Sequence, residues 1–326
     1  MKKMVIVFVS LSLWVFGVSL PGIATAAEKG FPNKEITVIC SMAPGGGRDI
    51  LTRGFSKVMS KHMGVPMVVL NITGGAQTRG AAAIYHAAPD GYTIGFGGQS
   101  ESIAQILEEQ DYDMRKFSQI GRVQSTQETF FVMPDSPFKS FKDFKTFGKP
   151  IRFPVFSLTT GSTVVGMILS LREKFPLKVI GGYKQQTEAT LALLRGDGEL
   201  IVNNPSVGMV FFKTGEIRPI LTIGPKRYPS FPEIPSVAEM GYKDLANLSL
   251  DIWLMGPPEI PKERLKILED ALMSTLKDPE FVNWAKKVSI DLGPLNGEDN
   301  AKRVLDFFKV VEPYKRDIEK NIMGMK

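Results

Sequence analysis

Short runs of consecutive apolar residues alternate along this chain with stretches whose apolar positions recur every three or four residues. "EITVIC", "PMVVLN" and "YTIGFG" are of the first kind, and "RDILTRGFSKVMSKHM", "TRGAAAIYHAA" and "SESIAQILEE" follow them with the second. The first pattern fits a strand covered on both faces; the second fits the helix that covers it. After an irregular stretch the alternation resumes. "PIRFPVF", "LKVIGGY", "ELIVN" and "RPILTI" read as extended, and "STVVGMILSLREKF", "TEATLALLRG" and "SVGMVFFKTG" as helical. This order predicts an α/β protein built on mixed, mostly parallel sheets flanked by helices.

Two apolar runs interrupt the alternation, "TFFVM" within 123–133 and "LDIWLM" within 249–257. They read as crossover strands that carry the chain from one lobe to another and back. Lobe 1 then comprises 27–126 plus 252–326, and lobe 2 comprises 127–251. Trp253, on the second crossover, is either a reporter of lobe closure or plain core. The tail carries three helical patterns, at 262–276, 279–288 and 298–319. No long repeat or low-complexity segment is visible.

Residues 1–26 read as a separate segment. Lys2 and Lys3 precede an almost unbroken apolar stretch from Met4 to Leu20, and "ATA" at 24–26 supplies small residues for cleavage. This is the pattern of a secretory signal peptide, with an uncleaved anchor as the alternative. No later apolar stretch is long enough to span a bilayer, so the mature protein is expected to be exported and soluble. The single cysteine, Cys40, lies inside a strand run, which leaves no internal disulfide. Lys2 and Lys3 account for two units of the formal net charge of +6, and the rest of the charge is dispersed. Dispersed charge speaks against a nucleic-acid surface and is compatible with a small anionic ligand.

In an open α/β sheet, ligands sit outside the carboxyl ends of the strands. Four strand ends here carry small or polar loops: "APGGGRD", "ITGGAQT", "SLTTGST" and "NNPS". Two fall in each lobe, which predicts a cleft with the ligand held from both sides. Gly45, Gly46 and Gly47 lead directly into a helix, whose first amides have no intrahelical partner and suit an anion. The stretch is neither a P-loop, lacking Gly-Lys-Ser/Thr, nor a dinucleotide fingerprint, with Ile50 where glycine is required. Arg48 has two readings, an exposed cation or a bidentate partner for a carboxylate. Asp49 caps amides, stabilises the loop or meets a polar ligand group. Ser162 or Thr163 suits the N-cap of the following helix, and Asn203 and Asn204 suit a turn before the next; both places also suit an anion.

Catalytic patterns are missing. There is no Gly-x-Ser-x-Gly elbow, and Asp197 and Glu199 read as solvated turn residues. His62 and His86, the two histidines, lie on helical patterns without matching metal-ligand spacing. Neither catalysis, a metal nor a cofactor is therefore expected.

The ordered motifs resemble one family. "ITVICSMAPGGGRDILTR", Asn71, Gly74 and Gly80, "AAPDGYTIGF", "GGYKQQTEATLALLRGDGEL", "FPEIPSVAEMGY" and "LMGPPEIPKERL" are similar to the substrate-binding proteins of tripartite tricarboxylate transporters, the TctC or Bug family. The resemblance spans nearly the whole mature chain. It implies a two-lobed periplasmic binding protein of the Venus-flytrap, type II-like fold. Such a protein delivers a small carboxylate to a permease with a large and a small integral subunit. It implies a periplasmic monomer, no nucleic acid, and a carboxylate held by backbone amides, hydroxyls and waters. The implied ligand residues are Ala43, Pro44, Gly45, Gly46, Gly47, Arg48, Asp49, Gly74, Gly75, Gln77, Thr160, Gly161, Ser162, Thr163, Tyr183, Asn203 and Asn204. Two other readings of the same fold are a carboxylate sensor for a two-component system and a secreted enzyme using the cleft.

Departures from the family pattern bear on the ligand. Arg48 replaces a small hydroxyl residue, Ser41 a proline, Met42 an aromatic residue and Val165 a histidine, while Asn203 or Asn204 replaces an aspartate. A more cationic pocket, and a ligand with an added carboxylate, is the expectation from Arg48 and the asparagines.

Overall fold

The structure is a computed structural model that describes residues 30–323. The segment read as a signal peptide, at 1–26, lies outside the described residues.

The first β-α units follow the apolar pattern closely. Strand β1 (Ile36–Cys40) leads into α1 (Gly47–Met63), β2 (Met67–Asn71) into α2 (Thr78–Tyr85), and β3 (Thr93–Gly98) into α3 (Gln99–Leu107). Helix α1 turns Leu51, Phe55, Val58 and Met59 inward, at the spacing of one helical face. It stops at Gly64, whose φ of 69° is the left-handed cap that glycine adopts without strain. Strand β4 (Ser118–Thr126) follows, and a single residue, Gln127, separates it from β5 (Glu128–Val132).

The second group comprises β6 (Ile151–Pro154), α4 (Gly161–Glu173), β7 (Leu177–Ile180), α5 (Gln186–Leu194), β8 (Ile201–Asn203), α6 (Pro205–Lys213) and β9 (Arg218–Ile223). The chain returns through β10 (Leu250–Gly256), α7 (Lys262–Thr275), α8 (Pro279–Lys287), β11 (Leu292–Asn296), α9 (Gly297–Val311) and α10 (Lys315–Met323). The single tail helix expected over 298–319 is two helices. Pro313 lacks the N–H that would continue the ladder, and a short tight turn at Glu312–Tyr314 separates α9 from α10.

Six strands form one sheet in the order β11-β4-β10-β3-β1-β2. Strand β1 pairs in parallel with β2 and β3, whereas β10 runs antiparallel between β3 and β4. A second sheet has the order β8-β5-β9, with β5 antiparallel to both neighbours. Strands β6 and β7 pair in parallel, and the amides of Glu199 and Leu200 join β6 to the start of β8 through the Arg152 carbonyl. The sheets are mixed because β5, β10 and β11 run against their neighbours.

Phe55, Phe96, Leu254 and Phe281 pack on one face of the six-stranded sheet. On the other, Ile39, Ile84 and Ile103 share a continuous cluster with Phe130, Phe153 and Val164 of the second unit and with Phe307 and Ile318 of the tail. Helix α10 packs on α4 and β7 as well as on α3, so the tail reaches both units. Among the described residues no helix is long and apolar enough to cross a membrane.

Candidate ligand cleft

The carboxyl ends of β1, β2 and β3 share one edge of the large sheet, which brings the first two glycine loops together. Gly45 has a φ of 81° and Gly46 is extended, so the triple glycine allows a turn that side chains would strain. Asp49 holds this turn. One carboxylate oxygen accepts the Gly45 amide at 2.9 Å and Arg53 Nε at 3.0 Å; the other accepts Asn71 Nδ2 at 2.8 Å. Asn71 also donates to the Met42 carbonyl, tying the end of β2 to the loop. Burial raises the carboxyl's pKa, but the bonds from Arg53, Asn71 and Gly45 outweigh it and hold the group below its ordinary range. Asp49 thus both accepts a loop amide and stabilises the turn. Ala43, Pro44, Gly45 and Gly47 stay exposed above it.

Arg48 points inward and is 8% exposed. Its guanidinium is ion-paired with Glu101 of α3, which is fully buried, and donates to Ser41 Oγ at 2.8 Å. The Ser41 hydroxyl in turn donates to Glu101 Oε1 at 3.2 Å. The added cation expected at the pocket is therefore neutralised inside the protein. Glu101 lies 53 positions from Arg48, on a stretch that carries no mark of a buried acid.

The second loop is conformationally strained. Gly74, Gly75, Ala76 and Gln77 all have positive φ, of 114°, 57°, 50° and 81°. Ala76 and Gln77 hold left-handed conformations that residues with a Cβ seldom adopt. Gln77 Oε1 is buried without a partner among the described residues.

On the second unit, Thr160 is the N-cap of α4, and its Oγ1 accepts the Thr163 amide at 3.3 Å. The cap expected at Ser162 or Thr163 falls earlier because the helix begins at Gly161 and its third amide belongs to Thr163. Thr163 Oγ1 donates back to the Ser157 carbonyl, and Ser162 and Thr163 are both buried. Gly161 meets the first unit. A Cβ there would lie 2.5 Å from Gln99 Oε1 and 2.6 Å from the Leu248 carbonyl oxygen. Gln99 is 5% exposed, and its Oε1 has no hydrogen-bond partner among the described residues.

The asparagines divide their roles. Asn203 is buried and donates to Thr190 Oγ1 at 3.0 Å. Asn204 caps α6, accepting the Val207 amide at 3.1 Å. Tyr183 is half-buried in the loop before α5. Asn204 also lines a cavity of about 750 Å³ between α6 and the α8–β11 corner, across from Thr126, Leu250 and Asp291. It alone of the expected ligand residues does so; the glycine loops lie at the β1 and β2 end of the edge.

Glu128 was not among the expected residues. It begins β5, is 2% exposed, and accepts Gln186 Nε2 of α5 at 3.3 Å. Burial pushes its carboxyl up to about 7, and the neighbouring donors, Ser162 and Gln186, only partly oppose the shift. The sequence signal was an acid set directly before the unbroken run "TFFVM". Glu199 likewise proves to be bonded, to Arg152 across the sheet, rather than solvated. Among the described residues no group of three or more His, Cys, Asp or Glu is placed to hold a metal.

A profile of the tripartite tricarboxylate transporter family receptor, TctC, matches residues 51–313. The chain belongs to this family. Among its TctC-like relatives, the "UPF0065 protein in the TAR-I ttuE-ttuC' intergenic region" of Agrobacterium vitis is 27% identical over 81% of this chain and 77% of its own. A TctC solute-binding protein from Polaromonas has a similar structure, with a TM-score of 0.78 and 19% identity over 89% of this chain and all of the other. MatC from Rhodopseudomonas palustris, solved with bound malate, gives a TM-score of 0.68 at 20% identity, over 88% of this chain and all of its own. These likenesses establish the two-lobed periplasmic-binding-protein fold of the TctC receptors. Within it, the Arg48–Glu101 pair fills a place where a small hydroxyl was expected, and Val165 packs in the core.

Proposed function

We propose that this TctC-family protein is a periplasmic receptor that captures a small carboxylate between its lobes and delivers it to a tripartite tricarboxylate-type permease. The observation that carries the reading is the β1–α1 turn: Asp49 and the Ala43 carbonyl hold the Gly45 and Gly46 amides, and the turn, with Gly47 at the start of the helix, stays exposed. The malate held by the structurally similar MatC supports a carboxylate as the ligand class. Gly45–Gly47, Gly74, Gly75 and Gln77 would meet the ligand from lobe 1, at 27–126 with 252–326. Thr160–Thr163, Tyr183 and Asn204 would meet it from lobe 2, at 127–251. Asp49 and Asn203 would act from behind, by shaping these loops. With Arg48 neutralised, backbone amides and hydroxyls supply the recognition. The protein binds without turnover and is exported through cleavage after residue 26.

A thermal-shift screen of the mature chain, refolded free of any co-purified ligand, tests the reading. Stabilisation by one class among mono-, di- and tricarboxylates, aromatic acids and amino acids supports it if a carboxylate class responds. Chemical conversion of the stabilising compound contradicts it.

A further inference from the structure

The two connections between the sheets pass a cavity of about 390 Å³, within the roughly 300–1,000 Å³ of small-ligand clefts. Its wall is cationic. Arg122 reaches it from β4, Arg303 from α9, and Lys226 and Arg227 from the loop after β9; Asp291 is the only acid among the described residues that line it. None of the residues expected to hold the carboxylate is on this wall. Two of the four cations share one counter-charge. Arg122 Nη1 donates to Asp251 Oδ2 at 3.1 Å, and Arg303 Nε is paired with the same oxygen. Asp251 is 2% exposed and lies off the wall. Two guanidinium groups and one carboxylate leave one positive charge over, on side chains only 11% and 19% exposed. Burial lowers the Arg122 pKa most, and repulsion from Arg303 adds to it against the pull of Asp251.

From the other unit, Lys226 is exposed and has no ion-pair partner among the described residues, whereas Arg227 is paired with Glu239. Several donors on the wall are unused. Arg122 Nε donates to the Gly293 carbonyl at 2.6 Å, and Nη2 bonds nothing among the described residues. Asn247 accepts from Arg303 through both its Oδ1, at 2.8 Å, and its backbone carbonyl, at 3.0 Å, which leaves its side-chain amide nitrogen free to donate. Guanidinium, ammonium and amide donors converging on one cavity suit an oxyanion, whose several acceptor oxygens can meet them together. A cavity walled mainly by one sign of charge also concentrates counter-ions. We propose that this cavity is a second anion site, in which a small multivalent oxyanion, organic or inorganic, binds between Arg122 and Lys226 and links the two units at their crossovers. The site goes beyond the carboxylate-receptor reading and does not depend on it.

Calorimetric titration of the mature chain with citrate, malate, inorganic phosphate and sulfate, at fixed ionic strength in sodium chloride, tests this. At least one of these anions should bind about tenfold more weakly in Lys226→Gln and in Arg122→Gln. Lys226 is exposed and unpaired, so its variant should fold; in Arg122→Gln, Arg303 still pairs with Asp251. Lys277→Gln, an equal loss of charge in the turn before α8, should bind as the wild type does. Weakening of either kind of anion supports the site and names its source, an organic acid for citrate or malate and an inorganic anion for phosphate or sulfate. The inference is overturned if none of the four binds, if all bind Lys226→Gln as they bind the wild type, or if Lys277→Gln weakens them equally. A carboxylate that binds the wild type and Lys226→Gln alike would still support the receptor reading, so the two readings fail separately.

Discussion

At the scale of single residues, the Arg48–Glu101 pair sets the largest expected effect. Removing one partner of a buried ion pair leaves the other charge uncompensated and costs about 3–5 kcal/mol. Glu101→Gln and Arg48→Met should each lower stability by that order in urea unfolding, and the double variant should recover part of the loss. A change below about 1 kcal/mol in both single variants would show that the pair does not bear on the fold. Glu128 acts through pH. Its folded-state pKa lies above the ordinary carboxyl value, so the native state binds the extra proton, and stability falls as pH rises from about 4.5 to about 7. The loss is on the order of 3 kcal/mol. Glu128→Gln should remove this slope and be the more stable form at about pH 8, where parallel wild-type and variant unfolding curves would contradict it. Glu101 was not legible in the sequence, and Glu128 showed only as an acid set before an apolar run. Burial of a charge depends on what the fold brings against it, and Arg48 meets Glu101 only through packing of α1 and α3 around the end of β3.

Elements were far more legible, because their period is local. The apolar runs and helical spacings predict the β-α units, and glycine, threonine and asparagine mark the loops between them. Cap identity was less so, since a shift of two residues in the helix start moved the α4 cap to Thr160. Thr160→Ala should therefore cost about 1 kcal/mol, whereas Ser162→Ala should spare the cap; equal losses would contradict that assignment. Asp49→Ala should loosen the β1–α1 turn and weaken ligand binding, as its carboxylate holds Gly45, Arg53 and Asn71 together. At low pH the same carboxylate's contribution is lost, because its depressed pKa stabilises the fold only while it is ionised. The tail showed the limit of periodicity. The apolar spacing runs through Pro313, but the missing amide there divides the helix and turns α10 onto α4 and β7.

At the scale of the molecule, Gly161 of the second unit lies against Gln99 of the first. A methyl group on Gly161 would have to displace the Leu248 backbone or the Gln99 side chain. Gly161→Ala should weaken a ligand gripped from both sides more than it lowers stability. The α/β architecture with mixed sheets followed from the alternation, while the ligand did not, because the buried partner of Arg48, on another helix, leaves no mark in the local pattern. The most direct test is the melting temperature of refolded, ligand-free protein against the carboxylate panel. A receptor should gain about 2.7 kcal/mol at a hundredfold excess over the dissociation constant, or roughly 5–10 °C. A rise of that size with one carboxylate class is the predicted result, and an unmoved melting temperature across every carboxylate would contradict the account.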